Sequence, residues 1–367
     1  MLDPVVDFFT RIFYWIGRAI GKVIAMVLWP FVTFRNWLRG KGWFIKIPVF
    51  LVLLMLALGY LYLFYITQFW GDTDPNYVKR YDFGATHHAA GERLDDGTCA
   101  PSAMVEVTAD LIARNVVDDV WVPSNPLHKA GLFFVWDWKD TPFFDNKAAF
   151  QLGVNQAVRR TAIELVDRLG RVRGTSSINE NLQKAREAAN YREDAWVVTL
   201  SPPFLQPSTQ ARLRDARKYL LAFNAELAAC RADFDVRADN LLQFYDRVTG
   251  DIGSTSEILQ RQMEGSNFTG FDRRADDRFW FTYGQLYGYY GILAAAGSDF
   301  RDVFKTRNLS SIWVRTDMQL EDALKVRPPI VTNGSPSSLI KSHLETIGFD
   351  LLRVRSNLVE MRDVLDR

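Results

Sequence analysis

The sequence predicts a mainly α-helical protein, in which an N-terminal amphipathic helix and a single transmembrane helix are followed by a helical-bundle domain. Three observations predict this architecture. A run of 25 residues without a charge lies between Lys46 and Asp72. The segment before this run is strongly basic, and apolar residues recur at helical spacing through most of the chain after it.

The composition fits a folded protein and excludes several classes of protein. The 367 residues include 44 Lys or Arg and 43 Asp or Glu, so the formal net charge is only +1. A dedicated nucleic-acid-binding protein carries a basic excess, and we therefore expect no nucleic-acid partner. Two cysteines are too few for a disulfide-dense small domain or for a zinc site built mainly from thiolates. We expect no cofactor and no metal site.

Residues 1–46 are interpreted as a basic amphipathic leader. Asp7, Arg11, Arg18 and Lys22 are spaced so that, at ~100° per residue, they share one stripe of a helix whose other faces are apolar. Such a helix lies in a membrane surface with its cations among the lipid headgroups. The alternative is that residues 4–34 form a second span in a hairpin, with Arg18 and Lys22 reaching the headgroups.

Residues 47–70 are predicted to form the transmembrane helix. About 20 apolar residues are needed to cross ~30 Å of hydrocarbon, and this segment is longer than that. Aromatic residues stand at both ends, as at membrane interfaces, with Trp37 and Trp43 before the run and Tyr65 and Trp70 at its far end. The first expected partner of the chain is therefore a lipid bilayer.

The charges on either side of the span predict its orientation. Residues 1–46 carry seven basic and two acidic side chains, whereas the chain beyond the span sums to a net negative charge. Basic segments stay on the cytoplasmic side, so the N-terminus is predicted to be cytoplasmic and the C-terminal domain periplasmic. We therefore expect a single-pass protein of the bacterial inner membrane.

The chain beyond the span is predicted to consist of a linker at residues 71–100 and a periplasmic helical domain at residues 101–367. The linker lacks periodicity and is rich in Gly, Asp and Thr. Helices are predicted near 102–120, 145–170, 177–190, 208–249, 254–264, 276–297 and 337–366. Extended or irregular chain is predicted at 121–142, 195–207 and 312–333.

Two predicted helices carry heptad repeats. In the last helix, large apolar residues from Ile340 to Leu365 alternate steps of four and three, and a second seam runs from Leu213 to Val248 with Arg237 as an interruption. Either one long bent helix or two stacked helices would produce the second seam. We expect the two seams to face each other in one antiparallel bundle, and the alternative is a coiled-coil contact between subunits.

Two further elements are interpreted from local signals. Gly250 is able to end a helix, and Ser254 with Glu257 forms a capping box, so a helix boundary is predicted at residues 250–257. The uncharged helix at 276–297 contains Gln285 and several glycines and tyrosines. It is therefore predicted to be buried in the domain rather than to cross the membrane, and its stripe of small residues admits a close neighbour.

Cys99 and Cys230 both lie on the side that is predicted to be exported. They are able to pair in an oxidising periplasm, and such a bond would be worth ~4–5 kcal/mol by the chain-entropy estimate. The alternative is two separate buried thiols. We interpret the pair as a candidate disulfide.

No sequence motif predicts a catalytic residue, but residues 121–160 combine tryptophan and proline at high density. Aromatic side chains at this density are able to build a groove for sugar rings or extended peptides. The alternative is a loop that packs over the bundle. The candidate binding residues are Trp121, Trp136, Trp138 and Phe143.

The order of these features resembles a known family. A basic leader and one span precede a W-V-P-S-x-P segment at 121–126 and a D-N-x-x-x-F-Q-x-G-x-x-x-x-V-R stretch at 145–159. A D-I-G-S-T-S turn at 251–256 and an aromatic, glycine-spaced helix follow. Over nearly the whole chain, the sequence resembles the Gram-negative inner-membrane proteins grouped as domain of unknown function 2333. The resemblance implies a proteobacterial envelope location and carries over no catalytic residue.

These observations favour a non-enzymatic function. We expect an inner-membrane-anchored structural or partner-binding component of the cell envelope, which forms a homo-oligomer or belongs to a larger membrane complex. The alternative is a periplasmic enzyme or binding protein that acts on cell-wall glycan or peptide through the Trp-rich groove. A helix carboxylate such as Glu106 would then take part.

Overall fold

The computed structural model of the chain is mainly α-helical, which confirms the predicted fold class. It describes residues 3–70, 73–84, 88–137, 141, 144–170, 178–199, 202–265, 272, 274–334 and 342–367. Most of the described residues lie in helices. In the described ranges, β-pairing is limited to isolated bridges such as Leu132 with Trp136 and Val198 with Leu205.

The helices are numbered in chain order. They are α1 (Asp3–Arg39), α2 (Trp43–Gln68), α3 (Ala103–Val116), α4 (Pro126–Ala130), α5 (Asn146–Glu164), α6 (Glu180–Ala189), α7 (Thr209–Ala228), α8 (Ala238–Glu264), α9 (Ala275–Asp299), α10 (Arg301–Thr306), α11 (Ser310–Lys325) and α12 (His343–Leu365). A 3₁₀ helix covers Pro75–Tyr81, and a π-helical turn, Leu165–Leu169, extends α5.

The chain divides into two compact units, Met1–Tyr62 and Leu63–Arg367. The first unit contains α1 and most of α2. Within the described residues, α2 is the single helix that is by itself long and apolar enough to cross a membrane. The halves of α1, Phe13–Met26 and Leu28–Arg39, meet at a bend of 41° and pass the same test only together. The last residues of α2 belong to the second unit, where Leu63 and Ile66 are buried.

Helix α9 forms the centre of the second unit. Nearly all of its side chains are buried, including Tyr283, Tyr287 and Tyr289, and it packs against α5, α3 and α11. The prediction that this segment is a buried helix is thus confirmed. A helix that is apolar around its whole circumference must be covered by protein or lipid, and here the neighbouring helices cover it.

Small residues allow α5 and α9 to approach closely, as the sequence predicts. A Cβ added to Gly284 would lie 2.1 Å from the carbonyl oxygen of Phe150, and one added to Gly153 would lie 2.1 Å from that of Phe281. Separations this short are impossible for real side chains. Both crossing positions therefore require glycine, one from each helix.

The predicted helix boundary at residues 250–257 is wrong. Helix α8 runs through this segment without interruption. The Ser254 hydroxyl donates to the carbonyl oxygen of Gly250 at 3.1 Å, one helical turn earlier, instead of capping a new helix. The buried seam of α8, which includes Val248 and Ile252, packs on α12 across the predicted break. Tertiary packing has overridden the local signal.

The seam from Leu213 to Val248 is divided between two helices. Helix α7 ends at Ala228, and Arg237 is the residue before α8. Only the α8 part faces α12, in antiparallel orientation, whereas α7 packs on α3 and α6. The structure also places α11 over residues that were predicted to be extended, with Ile312, Leu320 and Leu324 on its buried face.

Part of the predicted linker at residues 71–100 is built into the domain. The 3₁₀ helix inserts Tyr77 beside α9, where its ring stacks on Tyr287 with centroids 4.4 Å apart. The Tyr77 hydroxyl donates to the Tyr287 carbonyl oxygen at 2.6 Å and accepts from the Gly291 amide at 2.9 Å. These contacts fix the segment because they satisfy a buried phenol on both sides.

Cys99 and Cys230 are joined by a disulfide, with their Cα atoms 5.3 Å apart. The bond connects the segment before α3 to the end of α7. The amide of Cys99 also donates to the carbonyl oxygen of Ala228 at 2.9 Å, so a backbone hydrogen bond supports the same junction.

Candidate functional site

A cavity of about 600 Å³ lies where the N-terminal ends of α5 and α9 meet. Its walls come from these two helices, from the segment around α4 and from Glu193 and Asp194. Small-molecule sites typically enclose ~300–1,000 Å³, so the cavity has the size of a binding site. A second cavity, of about 400 Å³, shares Leu152, Glu193 and Phe281 with it.

Asp145 is the unusual group of this cavity. It is the residue before α5, but its side chain does not cap the helix. Only 2% of the residue is exposed, and no donor among the described residues hydrogen-bonds to either of its carboxyl oxygens. Burial, together with the nearby Asp277 and Asp276 carboxylates, raises the pKa of Asp145 well above its ordinary value. Asp145 is thus a buried carboxyl group that adjoins other carboxylates and has no described hydrogen-bond donor.

The cations of the cavity differ in what they contact. Lys129 is 3.1 Å from the Asp194 carboxylate and also donates to the Asp194 carbonyl oxygen at 2.8 Å. Arg278, in the first turn of α9, is exposed and forms no ion pair with a described residue. The guanidinium of Arg278 is thus an available partner for an anionic group in the cavity.

Other acids near the cavity are already bound within the protein. Glu193 accepts from Arg159 at 2.9 Å and from Asn155 at 3.0 Å. In the neighbouring wall, Arg160 forms two hydrogen bonds of 2.9 and 2.8 Å to Asp251. These pairs serve structural roles, whereas Asp145 has no described hydrogen-bond donor and Arg278 has no described ion-pair partner.

Two exposed apolar loops stand beside the cavity. The first contains Phe133, Phe134, Val135 and Trp136, all more than half exposed, and the second contains Trp196, Val197, Val198, Phe204 and Leu205. We call them the apolar loops. The Lys129–Asp194 ion pair joins the chain just before the first loop to the chain just before the second, and both residues also line the cavity. The loops therefore start from one edge of the site.

The predicted binding residues occupy different environments. Trp121 is 2% exposed and donates its indole N–H to the carbonyl oxygen of Glu193 at 2.9 Å, so it belongs to the core. Trp136 is 61% exposed in the first apolar loop. Trp138 and Phe143 lie outside the described residues. The stretch at 121–160 lines the cavity with other residues, notably Asp145 and Leu152.

Sequence reasoning missed Asp145, Asp277 and Arg278. The two aspartates stand at helix starts, where acidic residues are ordinary because they complement the helix dipole. Arg278 follows them in the first turn of α9, and no spacing pattern connects it with Asp145. Glu106, the carboxylate that the sequence suggested, lies on α3. Burial is the main cause that raises its pKa, and the nearby Asp110 carboxylate adds to the effect. It does not line this cavity.

Lys147 forms a second buried polar cluster in the same unit. The residue is 1% exposed, and its ammonium donates to the carbonyl oxygen of Ile66 at 2.7 Å and to the Asp119 carboxylate at 2.5 Å. A weaker bond of 3.4 Å reaches the Phe69 carbonyl oxygen. The ammonium thus occupies the position of a cap for the last carbonyls of α2, which is a structural role.

In the described part of the chain, no group of three or more His, Cys, Asp or Glu side chains is arranged to hold a metal ion.

A family model matches residues 41–272, well over half of the chain. The family, DUF2333, is described as an uncharacterized protein conserved in bacteria. No curated protein and no solved structure matches the chain.

Proposed function

The chain belongs to the bacterial family DUF2333, and from this premise we propose that it is a non-enzymatic, inner-membrane-anchored component of the cell envelope. Its helical unit, Leu63–Arg367, binds a protein partner on the periplasmic side. The assembly is a homo-oligomer or a larger membrane complex. The observation that carries the partner-binding proposal is the pair of apolar loops.

The membrane anchor is supported by α2, which is long and apolar enough to span a bilayer. The orientation is supported by the charge distribution, because the segment before the span is basic and such segments remain in the cytoplasm. The disulfide between Cys99 and Cys230 adds independent support. Disulfides persist in oxidising compartments such as the periplasm and are rare in the cytosol.

The apolar loops support partner binding because soluble surfaces rarely expose contiguous apolar patches unless something covers them. Four consecutive large apolar residues, Phe133 to Trp136, are exposed in the first loop alone. Aromatic side chains of this kind are the residues that dominate binding at protein interfaces. A protein partner is therefore the proposed occupant of these loops.

The orientation is tested with the full-length chain fused at its C-terminus to a reporter enzyme that is active only outside the cytoplasm. We expect an active fusion in the membrane fraction. A fusion that is present in the membrane fraction but inactive would overturn the proposed orientation. A chain that is recovered entirely from the soluble fraction would overturn the anchor.

Partner binding is tested by placing a photo-crosslinking amino acid at Phe134 of the full-length protein in cells. The control position is Val314 on α11, which is similarly exposed but lies far along the chain from the loops. We expect a discrete adduct from Phe134 and none from Val314, with mass spectrometry identifying a second copy or another envelope protein. Lipid adducts alone, or equal adducts from both positions, would overturn the proposal.

The alternative is a periplasmic enzyme or binding protein that acts on cell-wall glycan or peptide. One observation favours it, which is the cavity with its buried Asp145 and exposed Arg278. Of the four residues of the aromatic groove that first suggested this alternative, Trp121 is in the core and Trp136 is exposed in the first apolar loop. The cavity therefore supports binding of a small charged ligand more directly than binding of stacked sugar rings.

A further inference from the structure

We propose that the cavity between α5 and α9 binds the amino-terminal end of a peptide chain. The peptide's ammonium group sits on the Asp145–Asp277 carboxyl pair, and a carboxylate of the same peptide pairs with Arg278. This inference rests on the proposed function, because it assigns the chemistry of the partner whose remaining residues contact the apolar loops.

The first argument is the unused hydrogen-bonding capacity of Asp145. An acceptor that is buried without a donor costs ~1–3 kcal/mol, so such a group in a native fold requires an explanation, and a bound ligand supplies one. Both Asp145 oxygens lack a described donor, and the residue lines the cavity. An ammonium group carries three donors and a positive charge, which complement a buried carboxyl beside a second carboxylate.

The second argument is the opposite charge that the same cavity presents. Arg278 follows Asp277 directly in α9, and its exposed guanidinium forms no ion pair with a described residue. Lys129, in contrast, is held by Asp194. A ligand that satisfies both ends must carry an ammonium and a carboxylate a short distance apart. A peptide with a free N-terminus and an acidic side chain or C-terminus meets this requirement.

The third argument is the remaining surface of the site. Leu152 and Phe281 give the cavity an apolar wall, and its volume of about 600 Å³ holds a few residues of peptide. The apolar loops begin at the same edge, so a longer chain leaving the cavity would meet exposed aromatic side chains. A peptide is therefore the ligand class that fits both the charged groups and the apolar wall of the cavity.

The test is isothermal titration of the full-length protein in detergent micelles with the tripeptide Ala-Glu-Leu. The same tripeptide with an acetylated N-terminus is the matched probe. We expect saturable binding of the free peptide and at least about tenfold weaker binding of the acetylated one, because acetylation removes the ammonium charge. Equal affinity for both peptides, or no binding of either, would overturn the proposal.

Variants of the protein identify the two recognition groups. Arg278→Gln is a surface substitution that leaves the fold intact, and we expect it to weaken binding about tenfold. Arg231→Gln, at an exposed arginine away from the cavity, is the control and should bind as the wild type does. Asp145→Asn should also weaken binding, provided that circular dichroism shows an unchanged fold. Unchanged affinity in Arg278→Gln would overturn the assignment of that residue and with it the proposed site.

The peptide titration and the Phe134 crosslink together distinguish failure of this inference from failure of the proposed function. If the peptides do not bind while the Phe134 crosslink to a protein persists, the cavity assignment is wrong and partner binding stands. If a chitooligosaccharide binds in place of the peptide, with the same loss in Arg278→Gln, the ligand class is wrong. Loss of the crosslink together with intact peptide binding would overturn the protein partner instead.

Discussion

The Asp299 carboxyl, in the last residue of α9, accepts a 2.6 Å hydrogen bond from the hydroxyl of Ser102, the residue before α3. It also accepts from the backbone amides of Ala103 at 2.7 Å and Met104 at 3.0 Å. Ser102 itself accepts from the amide of Val105 at 3.2 Å. The end of the central helix therefore caps the start of α3 with a buried carboxyl, which satisfies amides that a helix leaves unpaired.

The first prediction concerns this cap. Burial raises the pKa of Asp299 to about 7, although its hydrogen bonds act in the opposite direction. Because the pKa in the folded state lies above the ordinary value of 3.8, the stability contribution is complete below pH ~4 and is lost as the pH rises through 7. We expect Asp299→Asn to make the melting temperature less dependent on pH between 5 and 8.

The contribution of this cap to the free energy of unfolding is also measurable at a fixed pH. Asp299→Ala leaves three donors without their acceptor, and we expect it to lower the free energy of unfolding by about 2–4 kcal/mol at pH 5. Ser102→Ala removes one donor and should cost about 1 kcal/mol. Thermal unfolding followed by circular dichroism in detergent measures both. A destabilisation by Asp299→Ala that grows between pH 5 and pH 8 would contradict the expected loss of stabilisation at high pH.

The second prediction compares two helical glycines. Gly284→Ala would force a Cβ against the Phe150 carbonyl oxygen, so we expect the crossing of α5 and α9 to open, with a loss of more than about 3 kcal/mol. Gly250, inside α8, has nothing within 4 Å of an added Cβ. Gly250→Ala should therefore stabilise the protein by about 0.5–1 kcal/mol, since alanine favours a helix. Thermal unfolding of both variants measures the difference, and equal effects of the two substitutions would contradict the close crossing.

The third prediction concerns Lys147. Lys147→Met removes the partner of a largely buried carboxylate, Asp119, and of the Ile66 carbonyl oxygen, so we expect a loss of about 3–5 kcal/mol. Asp119→Leu combined with Lys147→Met should be less destabilising than the sum of the single changes, because both charges of the ion pair are then removed together. A double-mutant cycle by chemical denaturation measures this coupling, and strict additivity would argue against the ion pair.

The fourth prediction concerns the disulfide, which joins residues 131 positions apart. Replacing either cysteine by serine should lower the free energy of unfolding by about 2–5 kcal/mol. The double replacement should cost no more than either single one, since one bond is lost in each case. Reduction of the wild type should produce the same shift in melting temperature. If reduction leaves the wild-type melting temperature unchanged, the bond does not stabilise the fold.

The helical class and the candidate membrane helix follow from patterns that act over many residues, and both were predictable. The heptads in α12 likewise place Leu344, Leu351 and Leu358 on its buried face. The boundary at Gly250 failed because three local residues suggested a break, whereas a long buried seam against α12 held α8 together. A buried seam over many residues contributes more to the free energy of folding than one glycine or one capping box does.

The candidate site was less accessible to sequence reasoning. Tryptophan density suggested a groove, but Trp121 and Trp136 occupy a core position and an exposed loop, and nothing in their local sequence separates the two. Asp145 and Arg278 are far apart in the chain. They line one cavity only because α5 crosses α9, and that crossing depends on which helices pair. No single sequence motif predicts such long-range pairing of helices.

The crossing of α5 and α9 also determines when the protein is able to fold. Synthesis proceeds from the N-terminus, so α5 is complete at Glu164 long before α9 begins at Ala275. Cys99 and Cys230 both emerge before α9, so the loop that they close exists before the central helix does. The face of α5 that packs on α9 is therefore uncovered during synthesis, and a nascent chain that ends before α9 lacks the helix at the centre of the second unit.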